Sequence, residues 1–132
     1  MAGSRTRPTL VAEAVVPSSF VWKSHEGWLV NVVGEGLRVL GRDLQLRARF
    51  PCHLEKAGYH AVSPDLRYAV LAEPTRIRLI DRDGRTRWEV PHEPWGEYGE
   101  GSCWITAAES CVWAAVPRAQ GQDEWWVLEL ES

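Results

Sequence analysis

Leu37-Arg38-Val39-Leu40-Gly41-Arg42-Asp43 and Ile77-Arg78-Leu79-Ile80-Asp81-Arg82-Asp83 carry one pattern twice, 40 positions apart. Aliphatic positions fall on aliphatic positions, and both arginines and the closing aspartate coincide. The same offset carries Trp28, Val30 and Val32 onto Tyr68, Val70 and Ala72. It also carries Phe20 and Trp22 onto His60 and Val62, and Phe50-Pro51 onto Val90-Pro91. Four segments aligned by one offset mark an internal repeat, not chance dipeptides. A third copy follows with insertions: Tyr68, Val70 and Ala72 recur as Cys111, Trp113 and Ala115, and Ile77 to Gly84 as Trp125 to Ser132.

Each copy holds short runs rich in Val, Ile, Leu, Trp and Tyr, bounded by Gly, Pro, Asp or Ser, which is strand character. In chain order within a copy they are called a, b, c and d. Strand a is expected at 19–24, 58–63 and 102–107, and b at 27–33, 67–73 and 110–116. Strand c is expected at 37–42, 76–81 and 124–130, and d at 44–50 and 85–91. The b runs are apolar at nearly every position, which predicts burial on both faces. The d runs, Leu46-Arg47-Ala48-Arg49-Phe50 and Arg85-Thr86-Arg87-Trp88-Glu89-Val90, carry the charge that protects an outer edge. Four strands per ~40 residues, graded from buried to charged, is the blade pattern of an all-β propeller.

Ser63-Pro64-Asp65-Leu66-Arg67-Tyr68-Ala69-Val70, followed by Ile77 to Gly84, resembles a blade of the broad WD-repeat-like and YVTN-like propeller superfamily. In that superfamily the a–b turn is commonly Ser-Pro-Asp-Gly. Here Leu66 stands where glycine is usual, and the Gly-His and Trp-Asp dipeptides of true WD repeats are missing. The resemblance spans nearly the whole chain and implies a fold of antiparallel four-stranded blades, about three per chain. It transfers no active site.

The expected organisation is a flexible start at 1–9, a lone outer strand at 10–17, and blades at 18–51, 52–91 and 92–132, the last without its d strand. Residues 10–17 align with Leu44 to Pro51 at an offset of 34. Leu10, Ala12, Ala14 and Val16 are therefore expected to complete the third blade of a second chain. Propellers typically close with 4–8 blades, so three predict half of a six-bladed ring. The partner is another copy joined head-to-tail by strand exchange, or a complementary propeller half.

Composition narrows the function classes. Fifteen basic against eighteen acidic side chains give a net charge of −3, without the basic excess of a nucleic-acid binder. No apolar run approaches the ~18 residues that span a bilayer. Three cysteines, Cys52, Cys103 and Cys111, with no secretory apolar region predict reduced thiols and a cytoplasmic protein. Cys103 and Cys111 would face each other only across a hairpin centred near Ala107. No Cys-x-x-Cys pair, Gly-rich phosphate loop or second His at helical spacing is present, so no cofactor or metal is expected.

The long d–a and b–c loops should emerge on one rim, where binding residues concentrate. That rim carries His53, His92, Glu93, Trp95, Glu97, Tyr98 and Arg118 as candidate binding residues, with no catalytic residue. The stretch from His92 to Gly101 reads either as an acidic-aromatic docking loop or as a loop whose Trp95 simply plugs a blade junction. His53 and His92, beside Cys52 and Glu93, are the right ligand types for a metal, but their spacing matches no ligand signature. The expected function is a non-catalytic binding or scaffold module using this rim for protein interaction. The alternatives are lectin-like sugar binding through rim Trp and Tyr, and a hydrolase- or lyase-type enzyme with carboxylates at the ring axis.

Overall fold

A computed structural model of the chain describes residues 7–15, 20–25, 27–32, 34–54, 58–95, 99–106, 110–118 and 122–130. All of its regular structure is β. The first sheet comprises β1 (Phe20–Ser24), β2 (Gly27–Val32), β3 (Gly36–Leu40) and β4 (Leu46–Pro51). The second comprises β5 (Ala61–Val62), β6 (Tyr68–Glu73), β7 (Arg76–Asp81) and β8 (Thr86–Pro91). The third comprises β9 (Ser102–Ile105), β10 (Cys111–Pro117) and β11 (Asp123–Glu129). Every sheet is an antiparallel meander with its strands in chain order. The expected strands a to d are found within a residue or two of their expected bounds, apart from the second a strand. Residues 10–15 form no strand within the chain and are mostly exposed.

The turns are closed by a small set of residue types. Asp81 Oδ1 accepts hydrogen bonds from the amides of Asp83 and Arg85, and the Gly84 amide donates to the Asp81 carbonyl at 3.0 Å. Gly84 sits at φ 83°, the left-handed conformation that glycine adopts freely. Its counterpart in the first sheet is Leu44, forced to φ 64° in an equivalent turn closed by Leu44 N–H to the Gly41 carbonyl. Leu66 likewise holds φ 60°, the conformation that glycine fills in the Ser-Pro-Asp-Gly turn it resembles. A left-handed leucine costs about 1–2 kcal/mol. Around it Ser63 Oγ donates to Asp65 Oδ1 at 2.7 Å and accepts from the Tyr68 amide at 3.0 Å. The bond from Ser63 holds the Asp65 carboxyl below its usual range.

The sheets stack face to face. Leu29, Leu37, Val39, Ala48 and Phe50 of the first sheet pack on Val62, Ala69, Leu71 and Ile80 of the second. The opposite face of the second sheet, with Tyr68, Val70, Ala72, Ile77 and Leu79, packs on Cys103, Ile105, Val112, Ala114, Val116 and Leu130 of the third. Alternate residues of β6 thus serve two cores, and all six of its residues are buried. Each fully buried Leu or Ile contributes about 1.5–3 kcal/mol. Trp88 ties the second sheet to the third, donating from Nε1 to the Leu130 carbonyl at 3.0 Å. The charged end of β6 is compensated: Glu73 accepts from Arg78 Nε at 2.8 Å and Arg76 Nε at 3.1 Å, which offsets the desolvation of its carboxylate.

The common offset of 40 fits the third and fourth strands of the first two sheets but not the first two strands. Leu29 is opposite Val39, whereas Val70 is opposite Leu79. The b strands are therefore related by 41 positions, because the β2–β3 turn is one residue longer than Pro74-Thr75. The Ser63–Tyr68 turn is longer than the β1–β2 turn, so the a strands are related by 39: Trp22 lies opposite Leu29, and Ala61 opposite Val70. A one-residue slip moves a side chain to the other face of a sheet.

Candidate functional site

Among the described residues, four surfaces hold chemistry-bearing or exposed apolar side chains. The first is the loop rim. The His92 amide donates to the Thr75 carbonyl at 2.9 Å, and the Trp95 amide to the Pro74 carbonyl at 3.1 Å. The loop after β8 is thereby stitched to the β6–β7 turn. His92 Nδ1 lies 2.7 Å from the Glu93 carbonyl, which can only accept, so Nδ1 donates to it. The His92 ring stands edge-on to Trp126, with centroids 5.9 Å apart. Trp126 donates from Nε1 to Glu124 Oε1 at 2.8 Å, and Arg118 Nε donates to Glu124 Oε2 at 2.6 Å. These two donors, Trp126 foremost, hold the half-buried Glu124 carboxyl below its usual range.

The structure therefore brings His92 and Arg118 into one polar group, completed by Glu124 and Trp126. The last two escaped the sequence reading because they lie on β11, where alternation reads as structural. Glu93 is exposed and supplies its backbone carbonyl to His92. Trp95 is partly buried against the core between the second and third sheets, so it plugs the junction. Room for its ring comes from Gly58 and Gly101, where an added methyl would fall 2.9 and 2.8 Å from ring atoms. His53 is exposed, and burial pushes the adjacent Cys52 thiol up to about 11. Glu97 and Tyr98 lie outside the described residues. Among the described residues no group of His, Cys, Asp and Glu could hold a metal ion.

The second surface is a cleft of about 500 Å³ along β1, β5 and β9, the first strands of the three sheets. Tyr59 and Ser102 form a parallel bridge there, with Cys103 N–H donating to the Tyr59 carbonyl at 2.8 Å and Tyr59 N–H to the Gly101 carbonyl at 2.9 Å. His25 Nε2 meets the Val62 carbonyl at 3.0 Å, joining the first and second sheets. Lys23, His25, Tyr59 and His60 supply the larger polar groups of the lining. No described lining residue is a carboxylate. Burial lowers His60 to about 4 and raises the Cys103 thiol to about 12, so at neutral pH His60 is uncharged and Cys103 a weak nucleophile. Cys103 lies opposite Ala114, not Cys111.

The third surface is the outward face of the third sheet. The register aligns Trp104, Trp113 and Val127 in one row, and Ser102, Ala115 and Trp125 in the next. Trp104, Trp113, Trp125 and Val127 are 45, 40, 64 and 56 % exposed. The Trp104 and Trp125 rings stack at 5.8 Å and within 9° of parallel. At the other end of the stack, the outward face of the first sheet exposes Val21, Trp28 and Leu46. Around them stand Lys23, Arg38 and Arg49, placed on this face by their pairing opposite Trp28, Val30 and Arg38 respectively. Neither face was singled out from sequence, since an apolar strand does not reveal which of its faces lacks a neighbour. No protein-family model, curated protein or solved structure matches the chain.

Proposed function

We propose that this chain is a three-bladed segment of a β-propeller acting as a non-catalytic protein-interaction module, with the end faces of its sheet stack as the principal contact surfaces. The observation that carries this reading is the tryptophan face of the third sheet. Three exposed indoles and a valine on one sheet face are costly to leave in water. Aromatic residues of this kind are the usual anchors of protein interfaces. The propeller reading is supported by the three stacked meanders, the innermost strands gathered around one cleft, and the glycine-type turns held even by Leu44 and Leu66. The rim group of His92, Arg118, Glu124 and Trp126 is a secondary contact surface. The sugar-binding alternative draws less support, because Trp95 faces the core. The enzyme alternative has no carboxylate pair among the described cleft residues.

A photo-crosslinking residue in place of Val127 tests the reading in the cell that makes the protein. A protein adduct, to any partner, is expected from this position and not from a matched probe at the exposed Arg87. Equal adduct formation at both positions, or none at Val127, overturns it.

A further inference from the structure

The stack has a direction. The face of the first sheet that carries Leu37, Val39 and Phe50 meets the second sheet, and the equivalent face of the second, with Ile77 and Leu79, meets the third. The surface that continues this order is the face of the third sheet with Trp125 and Val127, which stand where Ile77 and Leu79 stand. The surface that precedes it is the outward face of the first sheet, where Val21, Trp28 and Leu46 are exposed beside the buried cluster of Val30, Val32 and Leu40. The molecule thus leaves exposed apolar side chains on both halves of the junction that it twice buries internally, Trp104, Trp113, Trp125 and Val127 on one and Val21, Trp28 and Leu46 on the other.

The two faces also match in charge. The first-sheet face carries Lys23, Arg38 and Arg49 and no acidic residue on its described strands. The third-sheet face carries Asp123 and Glu129, paired opposite Pro117 and Cys111, and no basic residue on its described strands. Guanidinium and ammonium groups placed over indole faces gain cation–π attraction on top of the ionic match. Arg38 already pairs with Glu35 at 2.6 Å, leaving Lys23 and Arg49 as the cations best placed to cross a junction. Each face opposed to a copy of itself would set like charges together.

Building on the interaction reading above, we propose that the tryptophan face of the third sheet docks on the outward face of the first sheet in a second copy of this chain, and reciprocally. Two chains then close head to tail through two identical junctions. Six sheets fall within the 4–8 blades that typically close a propeller, and closure satisfies every exposed face at once.

Sedimentation and light scattering on the full chain at micromolar concentration are expected to give twice the chain mass. Val127→Arg on one face and Val21→Glu on the other are both at exposed strand positions, so far-ultraviolet circular dichroism should be unchanged. Each variant alone should be monomeric, its junctions weakened roughly thirtyfold or more, as at an interface hot spot. An equimolar mixture of the two should recover a dimer, because one junction in the pair is intact. A monomeric wild type, a dimer retained by either variant alone, a mixture that stays monomeric, or masses that grow beyond two chains would each overturn the proposal. A Val127 crosslink to a different protein, with a monomeric wild type, would overturn the second-copy assignment and leave the interaction reading standing.

Discussion

Trp95→Ala separates a structural role for the loop after β8 from a ligand-binding one. The indole lies over the backbone of Gly58 and Gly101, within 2.9 Å of where their side chains would begin. These glycines flank Tyr59 and Ser102, the bridge that joins the chain just before β5 to the start of β9. Removing a fully buried Trp costs about 3–5 kcal/mol. Trp95 is only partly buried, which brings the expected loss to about 2 kcal/mol, since cost scales with the area returned to water. At a urea slope of about 1.5 kcal/mol/M this lowers the unfolding midpoint by roughly 1.3 M. The reverse perturbation, Gly101→Ala, thrusts a methyl at the ring and should cost about 1–3 kcal/mol through overpacking. In the double variant that methyl meets no indole, so the two losses should sum to more than the combined loss. Urea melts of the four proteins give this coupling directly. If Trp95→Ala changes stability by less than ~0.5 kcal/mol, within the scatter of surface substitutions, the ring is not core and the junction reading fails.

Two further perturbations address buried titratable groups. His60 Nδ1 accepts the Ala72 amide at 3.0 Å, and burial lowers its pKa from 6.5 to about 4. A base whose folded pKa is depressed favours the folded state fully above pH 6.5, and that advantage is lost as pH falls toward 4. The loss reaches at most about 3 kcal/mol; it should be absent from His60→Gln and so appear as the pH-dependent difference between the two proteins, and equal pH slopes would refute it. Native protein at pH 8 should offer one fast thiol to a disulfide reagent, the half-exposed Cys111. Cys52 and Cys103 react slowly, their thiols pushed up to about 11 and about 12 by burial, and three fast thiols in native protein would contradict this.

The strands were legible because turn residues punctuate them. Asp81 to Gly84 and Ser63 to Leu66 set their boundaries by hydrogen bonds that only those residue types make so cheaply. The order of burial was legible as well: charge on β4 and β8 marked the outer positions, and β6 is apolar enough to serve two cores. The facing of β1 and β2 was not. With apolar side chains on both faces the period of two disappears from the sequence, and nothing local reveals that the β2–β3 turn is one residue longer. The candidate site was half legible. His92 and Arg118 were visible as polar residues in long loops, and the structure joins them. Glu124 and Trp126 sit within a strand, where alternation hides their role. Trp95 reads from sequence either as a docking residue or as a plug, and only the placement of Gly58 and Gly101 beneath its ring decides between the two. Leu10, Ala12 and Ala14 find no strand within their own chain, and Val16 lies outside the described residues.

Burial of the second sheet on both faces has a consequence for cooperativity. In a stack where each layer touches only its neighbours, stability is a chain of nearest-neighbour terms. The middle layer cannot leave without dissolving both cores, whereas either end layer can detach at the expense of one. Native-state hydrogen exchange in such an array grades outward, slowest at β6 and β7 and faster toward β1 and β11. Ring closure would abolish that gradient by giving every layer two neighbours, so a bond between chains would appear as uniform protection within each of them.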